Sequence, residues 1–180
     1  MRDQVISSKG SAMGSKELAE LNKFVDSIGD PNDQMELILW KFGAAHNIDR
    51  AEITERLEEF KKFDHRNQGE LEENEAMQLL EFRGNTHTFR ELRQFVQEMD
   101  LDNNHKLSFI EYSCAIYSLD YFSLNDFADE ESRLAAMAAI QEAQKARQEI
   151  LEAMERRKRE EEEKARKEAE EIEAEKKLTR

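Results

Sequence analysis

Six residues in the twelve-residue stretch Asp100–Glu111 (DLDNNHKLSFIE) carry oxygen atoms at a spacing that suits a hard cation. Ca²⁺ is such an ion and takes about 6–8 oxygen ligands at once. Asp100, Asp102 and Asn104 stand at positions 1, 3 and 5, so alternate side chains can turn inward together. Lys106 at position 7 offers its backbone carbonyl, and Ser108 at position 9 offers a hydroxyl directly or through water. Glu111 at position 12 closes the set with both carboxylate oxygens. Position 6 of such a turn requires a positive φ and is usually Gly. His105 stands there, which carries some conformational cost. Leu107 at position 8 is the apolar residue that would pair with a second loop.

A second stretch with the same spacing, Asp64–Glu75 (DHRNQGELEENE), begins 36 residues earlier. It has Asp64 at position 1, Gly69 at 6, Leu71 at 8 and Glu75 at 12. Positions 3 and 5 are Arg66 and Gln68. Arg has no acceptor atom, and its fixed charge repels a cation. The expected role of this loop is therefore structural, with Leu71 pairing against Leu107 in a short two-stranded ladder.

Each loop needs a helix on either side. Asp49 followed by Glu52 has the form of a variant capping box opening a helix with Ile53, Leu57 and Phe60 on one face. Met77, Leu79 and Leu80 mark the helix leaving the first loop, which stops near Gly84. Thr88 with Glu91 is a second capping box, opening a helix with Phe89, Leu92, Phe95, Val96 and Met99. The apolar segment Phe109–Phe122, which starts within the loop's last residues, predicts the last helix of the pair. Cys114, inside it, reads as a small core residue. Upstream, stripes over Lys16–Ile28 and Met35–Phe42 predict two more helices, with Trp40 as a core or inter-helix anchor. Residues 1–15 lack helical periodicity and read as a disordered N-terminus or tag remnant. From Asp129 the chain becomes Ala-rich. Beyond Met154 it is almost only Glu, Lys, Arg and Ala, with no persistent heptad seam. Glu–Lys and Glu–Arg pairs at i,i+4, such as Glu152–Arg156, Glu155–Arg159, Glu160–Lys164, Glu162–Arg166, Glu163–Lys167 and Glu173–Lys177, predict a solvated helix. The organisation expected is residues 1–15, N-terminal helices 16–48, a loop pair 49–128, and a long charged helix 129–180.

Composition narrows the function. The net charge is −14 over 180 residues, and residues 51–150 alone carry −11 of it. A general nucleic-acid binder needs an uncompensated basic face, so that class is excluded. Concentrated carboxylates suit cations or a basic partner surface. A single Cys cannot form an intrachain disulfide framework and is compatible with a reducing, cytoplasmic setting. No apolar run reaches the length of a membrane span. The four His show no transition-metal spacing, and no phosphate loop or nucleophile elbow is present, so no enzyme activity is expected.

The stretches FVQEMDLDNNHKLSFIEY and FKKFDHRNQGELEENEAM together resemble the EF-hand superfamily over about half of the chain, from near Asp49 to Phe122. The layout of a weak loop, a good loop and a charged helix resembles the swiprosins and the EF-hand actin-bundling proteins of amoeboid cells. In the latter, residues matching Glu111-Tyr112, Tyr117, Phe122 and Asn125-Asp126-Phe127 precede an Ala/Glu/Lys-rich helix. The resemblance implies an all-α EF-hand pair with N-terminal helices and a long charged C-terminal helix. It further implies Ca²⁺-responsive binding, and crosslinking, of actin filaments at the cytoskeleton. Self-association through the C-terminal helix is also expected. In that scheme Glu111 closing on the ion reorients the Phe109–Phe122 helix and frees or locks the helix that begins near Asp129. The rival expectation is a scaffold or coiled-coil protein with a non-actin partner. A soluble Ca²⁺ buffer is a weaker third.

Overall fold

The computed structural model describes residues 15–84, 88–127 and 129–178, without the side chains of Ser15, Glu17 and 171–178. The expectation for residues 1–14 therefore lies outside the described residues. Among those described, the chain is all-α, with seven helices and one ladder of two three-residue strands. It divides after Ile140 into two units.

The first unit opens with α1 (Ser15–Asp26) and α2 (Pro31–His46). The break between them is local chemistry. Asp30 caps α2 by accepting from the Asn32 N–H at 2.7 Å, and Pro31 fills the first helical turn, where a missing N–H costs nothing. Next comes α3 (Arg50–Phe63), capped by Asp49, which accepts from Ala51 and Glu52. The expected capping box is only half formed in that it is Tyr117 Oη that donates to the Glu52 side chain, at 3.4 Å. Then follow β1 (Glu70–Glu72), α4 (Glu73–Phe82), α5 (Phe89–Met99), β2 (Lys106–Ser108) and α6 (Phe109–Tyr117). The Thr88–Glu91 capping box at the start of α5 is reciprocal, as expected. Last is α7 (Glu130–Leu178), whose Ala136 and Ile140 are buried in this unit.

The strands pair antiparallel with Leu71 opposite Leu107, both fully buried. Phe60, Phe109 and Tyr112 lie beneath them, with Phe60 and Phe109 edge to face at 5.5 Å. Burying each such side chain contributes about 1.5–3 kcal/mol. Leu21, Val25, Ile28 and Ile38 join the same cluster, so α1 and α2 are built into the core that carries the loops.

Two expectations are corrected. The helix expected over Phe109–Phe122 ends at Tyr117. Ser118 turns left-handed (φ 54°), and the Leu119 N–H closes the helix end on Cys114 O at 2.9 Å. That turn sends Leu119, Tyr121 and Leu124 back into the core, with a 3₁₀ turn at Tyr121–Ser123, so burial of these three outweighs continuing the helix. Trp40 is not enclosed: it is 39 % exposed, its ring 5.7 Å from that of Phe127. Lys41 from the next position sits over the same Phe127 ring and donates to the Asp126 carbonyl.

Gly69 has the tightest surroundings of the described glycines. Its φ is +80°, and a Cβ there would meet Gly29 O at 2.7 Å and Pro31 Cδ at 3.1 Å. The α1–α2 connection thus rests directly on the first loop. Gly69→Ala is expected to destabilise the protein by about 2–3 kcal/mol through left-handed strain plus the backbone clash. A fall in the urea midpoint with unchanged slope measures it, and an unchanged midpoint would refute the contact.

The second unit is the remainder of α7, residues 141–178. Ion pairs at i,i+4 run along it, but among the described side chains only two of the expected pairs are closed as such, Glu155–Arg159 (3.3 Å) and Glu163–Lys167 (2.7 Å). Lys164 and Arg166 instead reach forward to Glu168 (4.0 Å) and Glu170 (3.8 Å). Lys164 and Arg166 each have a Glu four residues before and four after, and exposed pairs of this kind differ little in energy. Glu173–Lys177 lies among the side chains outside the described residues. Ile150, Leu151 and Met154 are 61 %, 61 % and 62 % exposed.

Candidate metal centre

The loop between α5 and α6 begins at Asp100, which ends α5 with its N–H on Val96 O. The Asp100 carboxylate then organises the turn. Oδ1 accepts from Asn104 N and Oδ2 from His105 N, both at 3.0 Å. Asn103 (φ 60°) and His105 (φ 66°) are left-handed, so position 6 adopts the positive φ expected of it without Gly. Asn is well suited to that region at position 4, a feature the spacing alone did not reveal. Asp102 accepts from the Asn104 N–H at 2.9 Å and from its side-chain amide at 3.0 Å.

Glu111 reaches back across the turn from the first turn of α6 and is fully buried. Its Oε1 accepts from Leu101 N (2.8 Å) and Asp102 N (3.3 Å). Its Oε2 accepts from Ser108 N (2.9 Å) and Ser108 Oγ (2.8 Å), while Ser108 Oγ accepts from Glu111 N at 3.2 Å. Ser108 and Glu111 are therefore a capping box as well as loop positions 9 and 12. The S-x-x-E pattern was in the sequence and could have shown it.

Carboxylate oxygens of Asp100, Asp102 and Glu111 lie within 4.8 Å of one another. Among the described residues this is the one group of three or more His, Cys, Asp or Glu side chains drawn so close. The Asp100 side chain is 9 % exposed and Asp102 half-buried. Burial pushes the Glu111 carboxyl up to about 7 against the pull of the Ser108 N–H, and the charge of Asp102 adds to the rise. Burial likewise pushes Asp102 up to about 6, opposed by the Asn104 N–H and reinforced by Asp100 and by Asp26 at the end of α1. Three crowded carboxylates, two of them reluctant to ionise, form an all-oxygen set that a hard divalent cation fits. Of the other expected ligands, Asn104 touches Asp102 and Ser108 touches Glu111. Lys106 sends its ammonium to Glu70 of β1 at 2.9 Å, tying the two loops together.

The first loop repeats the backbone without the charge cluster. Asn67 (φ 51°) and Gly69 take the same left-handed positions, and Asp64 accepts from Gln68 N (3.0 Å) and Gly69 N (2.7 Å). Glu75, however, faces His65 Nδ1 at 3.2 Å, and Arg66 pairs with Glu72 at 3.1 Å. Glu75, the counterpart of Glu111, is thus engaged by His65, and Arg66 stands where the second loop has Asp102.

Cys114 is buried beside the centre and its thiol is pushed up, first by burial. Among the described residues no helix is long and apolar enough to cross a membrane. Comparison of the chain with protein-family models, curated proteins and solved structures finds no match.

Proposed function

We propose that the chain is a Ca²⁺-binding EF-hand protein that binds, and crosslinks, actin filaments in a Ca²⁺-responsive way in the cytoplasm. The observation that carries the calcium reading is the convergence of Asp100, Asp102 and Glu111 within 4.8 Å. Asp100, Asp102, Asn104, the Lys106 carbonyl, Ser108 and Glu111 would hold the ion. Ca²⁺ supplies two positive charges that offset the mutual repulsion of three carboxylates. The matched left-handed positions of the two loops and the Leu71–Leu107 register support pairing of two EF-hand units. Glu111 is a residue of both the loop and α6, so its position sets where α6 begins. Tyr121 and Leu124 follow α6 directly and lead the chain toward α7.

The actin reading rests on the resemblance of the layout, with the basic residues of α7 meeting an acidic filament surface. A scaffold with a non-actin partner is favoured by a different observation, the exposed Ile150, Leu151 and Met154 of the second unit, which suit self-association through a coiled coil. Co-sedimentation with actin filaments, in Ca²⁺ and in chelator, separates them. The actin reading expects the protein in the filament pellet, in an amount that differs between the two conditions. Protein that stays in the supernatant in both would sink it and leave the scaffold.

A further inference from the structure

Gln34 lies in α2, far from the loop in sequence, yet it is 3 % exposed and both ends of its side-chain amide are hydrogen-bonded. Its Nε2 donates to Ile28 O at 3.0 Å, and its Oε1 accepts from Ile110 N at 3.1 Å. Ile110 is the second residue of α6, immediately before Glu111. Its N–H is one of the donors that a helix start leaves without an intrahelical acceptor. The next N–H, that of Glu111, is taken by Ser108 Oγ within the loop, whereas that of Ile110 is taken from another helix. One buried amide therefore joins the α1–α2 connection, the first turn of α2 and the first turn of α6.

We infer that Gln34 is a positioning residue for the metal centre, through which α1 and α2 set its ion affinity. This rests on the calcium reading above. Glu111 can stand within 4.8 Å of Asp100 and Asp102 only if the first turn of α6 is held where it is. The loop fixes that turn from one side through Ser108, and Gln34 fixes it from the other. The same α1–α2 connection presses on Gly69 of the first loop, so the two N-terminal helices brace both loops at once. A site held in its binding arrangement before the ion arrives binds more tightly, because less ordering remains to be done. Partners of this outer kind typically set metal affinity by about 10–100-fold.

The test is Gln34→Met, which keeps the length of the side chain and removes both hydrogen bonds. Calorimetric Ca²⁺ titration of the full chain is expected to show about tenfold weaker binding. The rise in melting temperature that Ca²⁺ produces is expected to shrink with it. A merely structural Gln34 would lower the melting temperatures in Ca²⁺ and in chelator together and leave the isotherm unchanged, and that result overturns the inference. Wild-type protein gives a second measurement that needs no variant. The Gln34 side-chain amide signals are expected to shift in nuclear magnetic resonance spectra at the Ca²⁺ concentrations that shift the Glu111 amide. Gln34 signals unmoved across that titration also overturn the role. A wild-type chain with no isotherm at all overturns the calcium reading and this inference together, whereas equal binding by both proteins removes only Gln34.

Discussion

Replacing Glu111 with Gln is expected to lower Ca²⁺ affinity by about 100-fold in a calorimetric titration, with helical content retained. Gln has nearly the same shape, so the packing around this fully buried residue is kept. What is lost is one of three converging charges. A pair of unit charges about 4 Å apart attracts by roughly 4 kcal/mol at an effective dielectric near 20. A 100-fold loss, about 2.7 kcal/mol, is a modest share of that for a divalent ion. The amide end also turns a donor toward Ser108 N, where Oε2 now accepts at 2.9 Å, so the capping box is weakened too. An isotherm identical to wild type would remove Glu111 from the site.

The second large effect is a reversal of pH dependence. Without the ion, Glu111 keeps its proton up to about 7 and Asp102 up to about 6, both above the ordinary carboxyl range. The folded chain therefore binds more protons than the unfolded chain between pH 4.5 and 7, and stability falls as pH rises through that window. For Glu111 the loss is on the order of 2–3 kcal/mol. Bound Ca²⁺ would favour the ionised carboxylates, so in its presence stability is expected to rise over the same range. Melting curves at pH 5 and 7.5, in chelator and in excess Ca²⁺, are expected to cross. General repulsion in a chain of net charge −14 has the same sign as the ion-free effect. Glu111→Gln separates the two by flattening the ion-free slope. An ion-free protein that gains stability from pH 5 to 7.5 would show that these carboxyls are not held protonated.

The loop was legible in the sequence because its chemistry is carried by covalent spacing. Oxygen-bearing residues at alternate positions have few ways to turn, and Asp100 caps its own turn through Asn104 and His105. The ladder was legible because Leu71 and Leu107 occupy the same position in two loops. The end of α6 was not. Ser118 is unremarkable locally, and its left-handed turn is decided by where Leu119, Tyr121 and Leu124 find a core. Gln34 was not legible either: a polar residue on a mostly apolar helix gives no sign that its partner lies 76 residues away. Trp40 is legible only in part: it anchors on the Phe127 ring, but an apolar residue on a helix with more than one apolar face need not be covered on all of them.

Buried Cys114 has a consequence of its own. It is 3 % exposed in the helix that carries Glu111, and burial holds its thiol well above the ordinary range. Thiolate is the reactive form, so oxidants and alkylating reagents have almost nothing to attack while the core is shut. The chain's one thiol is therefore silent in the native state and answers only during the moments when α6 lifts. Its labelling reads the opening of the helix behind the candidate metal centre, as an open population when reclosing outpaces the reagent and as an opening rate when it does not.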